Sequence, residues 1–175
     1  MVPTGTFEQC CREWYPSLYR TVLLLVRDRH LAEDVLQEAL VRGYQALADL
    51  RDPDRLEPWL RRIAVREALA ALRARKVWLR RQEDLAAQVP PGPANPAEEA
   101  EQSQQRRLIW EGLDRLAPQQ RTAFILCSVE GRSIREVAGC MGISEGAVKR
   151  HLGRARDQLR KRLSKVFSNR GGKDA

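Results

Sequence analysis

The sequence predicts an all-α protein with two small helical domains joined by a flexible, proline-rich linker. Helix-favouring Ala, Leu, Arg, Glu and Gln dominate its 175 residues, and strand patterns are weak throughout. Apolar residues recur at helical spacing on both sides of residues 88–96, where four prolines interrupt regular structure. We therefore expect a first domain at 7–81, a linker at 82–105 and a second domain at 106–167.

The first domain is expected to contain three helices. Helical spacing in the first helix is carried by Tyr15, Leu18, Tyr19, Val22 and Val26. The second helix, about residues 31–47, has an apolar face formed by Val35, Leu36, Ala39, Leu40, Gly43 and Leu47. The third helix should span about residues 56–81, with Pro58 tolerated in its first turn.

Two surfaces of these helices have patterns typical of binding sites. Either surface could also be an ordinary helix face exposed to water. On the third helix, basic residues share one side and apolar residues another, which suits a DNA backbone. The basic side has Arg55, Arg62, Arg66, Arg73 and Lys76, and the apolar side has Trp59, Leu60, Ile63 and Ala64. On the second helix, the face opposite the core places Val41 among the polar residues Asp34, Gln37, Glu38 and Gln45. An exposed valine is common, so the pattern leaves open whether a partner covers it.

The second domain is expected to begin with two helices. The first contains Leu108, Ile109, Leu113 and Leu116. Pro118 should start the next helix, and Gly131 should end it.

A helix-turn-helix is predicted at about residues 133–153. Ser133 and Glu136 form the pattern of a capping box, and Gly142 supplies a turn at positive φ. Ser144 should cap the following helix, which Val148 and Leu152 should anchor. The outward residues are then Glu145, Lys149, Arg150, His151 and Arg154. This is the arrangement of a recognition helix in the DNA major groove, the alternative being a helical hairpin with a solvated basic face.

Composition and charge distribution favour an anionic partner. The net charge is +8, and residues 54–81 and 145–165 each carry +6, whereas residues 82–105 carry −5. An extended linker of this length reaches about 75 Å, comparable with two turns of DNA at about 70 Å. The longest apolar run, Val22–Val26, is too short to cross a bilayer, and no signal peptide is evident. We therefore expect a cytoplasmic protein without membrane contact.

No enzymatic pattern stands out. The sequence has no phosphate-binding glycine loop, no H-E-x-x-H and no nucleophile elbow, and its four cysteines lack metal-ligand spacing. Neither a catalytic site, a metal nor a cofactor is expected.

A dimeric helix-turn-helix regulator would explain the second domain but would leave the surfaces of the first domain unused. The tail after Phe167 is too short for a regulatory domain, so the sequence indicates no control from within the chain.

Four segments, taken in order, resemble the small extracytoplasmic-function (ECF) sigma factors of bacterial RNA polymerase. Residues 32–39 read A-E-D-V-L-Q-E-A, and residues 58–64 read P-W-L-R-R-I-A. Residues 113–121 read L-D-R-L-A-P-Q-Q-R, and residues 142–149 read G-I-S-E-G-A-V-K. The resemblance extends from about Phe7 to Leu163.

The resemblance implies a transcription initiation factor with three sets of contacts. The clamp helices of the largest polymerase subunit would be bound by Asp34, Gln37, Glu38 and Val41. The melted minus-ten strand would be read by Arg51, Asp52, Arg55, Trp59, Arg62, Arg66 and Arg73. The minus-thirty-five duplex would be read by Ser144, Glu145, Ala147, Lys149, Arg150, His151 and Arg154. Further implied partners are the flap of the second-largest subunit and an anti-sigma protein.

This chain departs from the family pattern at several of these positions. Arg66 stands where the family often has Asn, and Ala70 where it often has Asp. Arg150-His151 replaces a frequent Ser-Arg pair, and a histidine cannot make the bidentate arginine–guanine contact, worth about 1–3 kcal/mol. The Arg150-His151 departure implies an altered minus-thirty-five preference, whereas Arg66 and Ala70 leave the exact minus-ten contacts open.

Overall fold

The computed structural model describes residues 4–50, 52–83 and 110–170, and every regular element in these ranges is helical. The first three helices are α1 (Thr4–Val26), α2 (Arg29–Gln45) and α3 (Leu56–Glu83). They are followed by α4 (110–114), α5 (Pro118–Phe124), α6 (Ile134–Met141) and α7 (Glu145–Arg170). The predicted all-α class is confirmed. Most of the predicted linker lies outside the described residues, as do Arg51, Leu108 and Ile109.

The first domain is a bundle of α1, α2 and α3 around an apolar core. Its buried positions include most of those predicted, among them Leu18, Val22, Val26, Val35, Leu36, Ala39, Leu60 and Ala64. Tyr15 is an exception, because 37% of it is exposed. Gly43 lies where α2 meets α3, and a Cβ there would come within 2.8 Å of Leu60 Cδ1. A larger residue would push the two helices apart, which explains the glycine on the buried face.

Between α2 and α3 the chain makes two short 3₁₀ turns, Leu47–Asp49 and Pro53–Arg55. The predicted second helix therefore ends at Gln45, before Leu47. Its start is fixed by Asp28, whose side chain accepts a hydrogen bond from the Leu31 backbone N–H at 3.2 Å. This acceptor satisfies one of the unpaired donors in the first turn.

In the second domain, the helix that begins at Pro118 does not continue regularly to Gly131. It is α-helical to Phe124 and then makes a π-helical turn, Ile125–Val129, in which the Glu130 N–H donates to the Ile125 carbonyl at 3.0 Å. Gly131, at φ +69°, follows the turn and ends the element as predicted. Periodicity could not reveal the π turn, because a single turn of five residues is too short to establish a different apolar period.

The predicted helix-turn-helix is present as α6, a tight turn and α7. Ser133 and Glu136 bond reciprocally as a capping box, and Gly142 adopts φ +67°. Ser144 caps α7, because its hydroxyl accepts the Ala147 N–H at 3.2 Å. The anchoring side chains are buried: Val137, Met141, Val148 and Leu152. Local sequence chemistry therefore determines this motif.

Two glycines of the second domain should respond oppositely to alanine. We expect Gly142→Ala to lower the free energy of unfolding by about 1–2 kcal/mol, since an L-residue is strained at φ +67°. Gly153→Ala should raise it by about 0.5–1 kcal/mol, because Gly153 lies within α7 and nothing comes within 4 Å of an added Cβ. Urea unfolding of both variants measures the difference, and a loss of stability in both would contradict the assignment.

The two domains lie against each other. Buried residues of both belong to one continuous core, with Leu18, Val22, Leu60 and Val65 from the first domain and Ile125, Leu126, Val137 and Met141 from the second. Helix α6 packs against α3, and the π turn packs against α1. The sequence indicated two tethered surfaces on separate DNA sites, and no pattern in it predicted this contact.

Candidate nucleic-acid interface

The start of α7 presents a basic surface. Lys149, Arg150 and Arg154 are exposed, as is Glu145 in the first turn. Ala147 is half-buried. The buried Val148 and Leu152 hold the opposite side of the helix, so the exposed side chains are fixed on a rigid element. Such an exposed face suits insertion into a DNA groove.

Two further residues predicted at this surface have constrained chemistry. The Ser144 hydroxyl is exposed but already accepts the Ala147 N–H. His151 is half-buried, and burial together with the charges of Arg154 and Arg150 lowers its pKa below the ordinary value. This shift favours the neutral form of the imidazole. That form offers DNA a hydrogen-bonding group or an apolar edge rather than a positive charge.

The basic stripe predicted on the third helix is exposed along α3. Arg55, Arg62, Arg66, Arg73 and Lys76 are all open to solvent, and Trp59 is half-buried beside them. Arg66 also reaches the second domain, where it donates to the Gly139 carbonyl at 3.3 Å. The stripe is therefore exposed as expected, although Arg66 already contacts the second domain.

The loop before α3 is ordered by Asp52. Its carboxylate accepts the Asp54 N–H at 3.1 Å and lies 3.5 Å from the Arg55 guanidinium. This places Asp52 and Arg55 together at the start of the basic stripe. Arg51, the third predicted residue of this loop, lies outside the described residues.

The outer face of α2 carries the four predicted partner contacts. Asp34, Gln37, Glu38 and Val41 are all exposed, with 52% of Val41 accessible. Glu38 pairs with Arg42 at 2.7 Å, and Arg42 pairs with Glu67 of α3 at 2.8 Å. Both carboxylates raise the pKa of Arg42, the Glu38 hydrogen bond being the larger cause. The Arg42 guanidinium therefore orients the Glu38 carboxylate in the free chain.

Tyr44 belongs to the same face but was not singled out from the sequence. It is 53% exposed, and its ring lies 6.0 Å from that of Phe7. Together with Val41 and Leu40 it lines an open apolar groove between α1 and α2. Its position three residues after Val41 was the available signal, since residues at i and i+3 share one face of a helix.

Arg61 is a second residue that sequence reasoning did not single out. Its side chain is only 4% exposed and lies between two carboxylates, Glu57 at 2.6 Å and Glu130 at 3.0 Å. It also donates to the hydroxyls of Thr21 and Ser17. The available signal was an arginine in line with the buried Val65 and Ala68 of α3, because a charge on an apolar face requires partners.

No described helix is long and apolar enough to cross a membrane. No group of three His, Cys, Asp or Glu side chains in the described ranges is arranged to hold a metal ion.

Comparison with known proteins relates both domains to one family. The model of sigma-70 region 2 matches residues 11–77, and the model of sigma-70 region 4 matches residues 106–159. The RNA polymerase sigma-E factor of Streptomyces coelicolor is 35% identical over 157 residues, which cover 90% of this chain and 85% of that protein. The ECF RNA polymerase sigma factor SigE of Mycolicibacterium smegmatis is 29% identical over 93% of this chain, which spans 63% of that relative.

Solved structures show the same fold. The sigma factor RpoE of Bartonella quintana, in complex with the anti-sigma factor NepR, superposes with a TM-score of 0.68 and 24% identity, covering 90% of this chain and 96% of that one. CnrH, in complex with the cytosolic domain of CnrY, has a TM-score of 0.63 and 24% identity, covering 93% and 90%.

Proposed function

Because this chain belongs to the ECF group of the sigma-70 family, whose members direct bacterial RNA polymerase to promoters, we propose that its two domains read the two elements of a promoter while α2 binds the polymerase. The observation that carries the proposal is the exposed basic face at the start of α7, on a capped and buried helix-turn-helix. Its place of action is the cytoplasm, where polymerase and chromosome meet.

We assign minus-thirty-five recognition to α7. Lys149, Arg150 and Arg154 supply exposed donors for base edges and phosphates, and Glu145 is positioned to accept from a cytosine amino group. Ser144 shapes the helix start, while Ala147 and the neutral His151 favour apolar or hydrogen-bonded contacts over ionic ones. This residue set favours an element that differs from those read by the family's Ser-Arg pair.

We assign minus-ten recognition to α3 and the loop before it. Arg55, Arg62, Arg66 and Arg73 form a positive track for a single-stranded backbone, and the half-buried Trp59 offers a ring edge beside that track. Asp52 holds Arg55 in place at one end of the track. Arg51 stays a sequence-based prediction for the same loop.

We assign polymerase binding to the outer face of α2, extended by Tyr44. The face combines two exposed carboxylates, Asp34 and Glu38, with exposed Val41 and Tyr44 at the apolar groove. A basic and apolar partner surface complements it, and we propose the clamp helices of the largest subunit as that surface. The second domain would meet the flap of the second-largest subunit, and an anti-sigma protein would compete for these surfaces.

Transcript-start mapping tests the proposed function. Purified chain and core polymerase should together initiate at a set of genomic sites that share a paired upstream motif. The same core enzyme without the chain is the control. If the chain directs core enzyme to no start site and binds DNA alone as a stable dimer, the proposal is wrong and a self-sufficient regulator is favoured.

Removing the two carboxylates of α2 should weaken polymerase binding selectively. For Asp34→Ala with Glu38→Ala we expect a five- to thirtyfold higher Kd for core polymerase, the equivalent of about 1–2 kcal/mol. Stability should change little, because the Glu38–Arg42 pair is solvent-exposed. The matched control, Glu13→Ala with Asp157→Ala, removes two exposed carboxylates elsewhere. Equal effects of the two double variants on Kd would exclude a specific contact.

A further inference from the structure

The contact between the two domains contains a charged cluster as well as apolar packing. Glu130, at the end of the π turn of the second domain, accepts from Arg61 Nη1 at 3.0 Å and also bonds the Thr21 hydroxyl. Arg132 of the second domain reaches back to Glu57 at 3.1 Å. Arg61 and Glu57 also pair with each other, so two acids and two bases alternate across the boundary. Every charge in this cluster has an opposite neighbour.

A second charged contact lies at the other end of the boundary. Arg27, between α1 and α2, makes two hydrogen bonds to the Asp114 carboxylate, at 2.7 and 3.2 Å. Its guanidinium also stacks over the Trp110 ring, 3.7 Å from the ring centroid. The Arg27 side chain is 20% exposed and the Asp114 side chain 49%, so solvent screens the pair from the carboxylate side. Bidentate geometry makes the contact specific for one relative placement of the domains.

The second domain also touches the basic stripe of α3. Arg66 donates to the Gly139 carbonyl, and a Cβ at Gly142 would lie 3.2 Å from Arg66 Nη2. The turn of the helix-turn-helix therefore lies against one of the cations assigned to the minus-ten strand. A strand that followed the whole stripe would have to displace this turn. By contrast, Lys149, Arg150 and Arg154 on α7 stay exposed.

We propose that these contacts hold the free chain in a closed, self-occluded form, in which the second domain covers part of the minus-ten surface. The inference rests on the proposed function, because it takes the α3 stripe as the strand-binding surface. Promoter binding requires the closed form to open, since domains in contact cannot occupy DNA elements about two turns apart. A partner that binds both domains only when they are separated, as the polymerase would, shifts the chain to the open form.

The expected change in affinity for a minus-ten strand follows from the fractions of the chain that are closed and open. If most of the free chain is closed, its apparent affinity for a minus-ten strand is reduced by the fraction that is open. Breaking one hydrogen-bonded charge pair of the boundary should raise the open fraction about tenfold. The gain in strand affinity should match that factor until the open form predominates.

Two variants open the boundary by different chemistry. Glu130→Arg places a third cation beside Arg61 and Arg132, and Arg27→Asp places an acid against Asp114. Adding Asp114→Arg to Arg27→Asp restores an oppositely charged pair and should close the chain again. The matched control for Glu130→Arg is Asp157→Arg, which makes the same change of charge at an exposed residue of the second domain that pairs with Arg160.

The experiment uses the full chain without polymerase. Small-angle scattering measures its radius of gyration, and fluorescence anisotropy measures its binding to the minus-ten single strand of a mapped promoter. We expect a compact wild type and control, larger radii for both opening variants, and recovery in the charge-swapped pair. Arg27→Asp should bind the strand about tenfold more tightly although it removes positive charge, an effect that nonspecific electrostatics cannot produce.

Three results would overturn the proposal. A wild type as extended as the opening variants would show that the free chain is not closed. Opening variants that expand but bind the strand no more tightly would show that closure does not occlude the strand. If Asp114→Arg fails to reverse the expansion caused by Arg27→Asp, the Arg27–Asp114 pair does not hold the closed form together. The radius of gyration does not depend on transcription with core polymerase, which tests the proposed function separately.

Discussion

Replacing Arg61 by Leu is expected to lower the free energy of unfolding by about 3 kcal/mol, the lower end of the range for removing one partner of a buried ion pair. The leucine fills similar apolar space but leaves Glu57 and Glu130 without their shared cation. Both acids retain some contact with water, at 23% and 17% side-chain exposure, which keeps the loss at the lower end. In a domain whose total stability is about 5–15 kcal/mol, this is a large fraction.

Arg62→Leu is the matched control for this prediction. Arg62 is the next residue on α3, carries the same charge and is exposed, so its replacement should change stability by no more than about 0.5 kcal/mol. Urea unfolding followed by circular dichroism compares the two. Similar stabilities for both variants would mean that the Arg61 cluster contributes nothing net to folding.

Replacing both Lys149 and Arg150 by Ala is expected to reduce transcription from promoters with a strong minus-thirty-five element by tenfold or more. A well-placed basic side chain contributes about 1–3 kcal/mol of discrimination at a base edge, and loss of phosphate contacts adds to this. Each lost phosphate contact should also lower the salt dependence of DNA binding by about one unit of slope. Both side chains are exposed on α7, so the fold should be preserved.

The control for the recognition helix removes two exposed arginines elsewhere, Arg20 of α1 and Arg115 after α4. That double variant has the same net charge and should transcribe nearly as well as the wild type. Run-off transcription over a salt series separates the two variants. If the control loses as much activity as the α7 variant, only net charge matters and α7 reads no element.

Much of the second domain could be predicted because its determinants are local. The Ser133–Glu136 capping box, the left-handed Gly142 and the Ser144 cap act within a few residues of themselves, so their sequence pattern is sufficient. The exposed faces of α2 and α3 were equally predictable, since helical periodicity alone determines which residues share a side. Their assignment to particular partners came from the family resemblance.

Long-range packing decided what the sequence did not reveal. The burial of Arg61 depends on Glu130, which is 69 residues away and is presented by a π turn that leaves no periodic signature. Arg66 and Gly139 are 73 residues apart in the sequence but are joined by a hydrogen bond. This contact brings together the basic stripe of α3 and the helix-turn-helix, which the sequence indicated separately.

The amino-acid sequence by itself determined the helices, their caps, the basic and acidic faces and the family. Those features depend on residue type and on neighbours within about one helical turn. Only the tertiary structure decided that the two domains share a core and pair their charges. Such contacts join residues far apart in the chain, and no local pattern encodes which distant surfaces will meet.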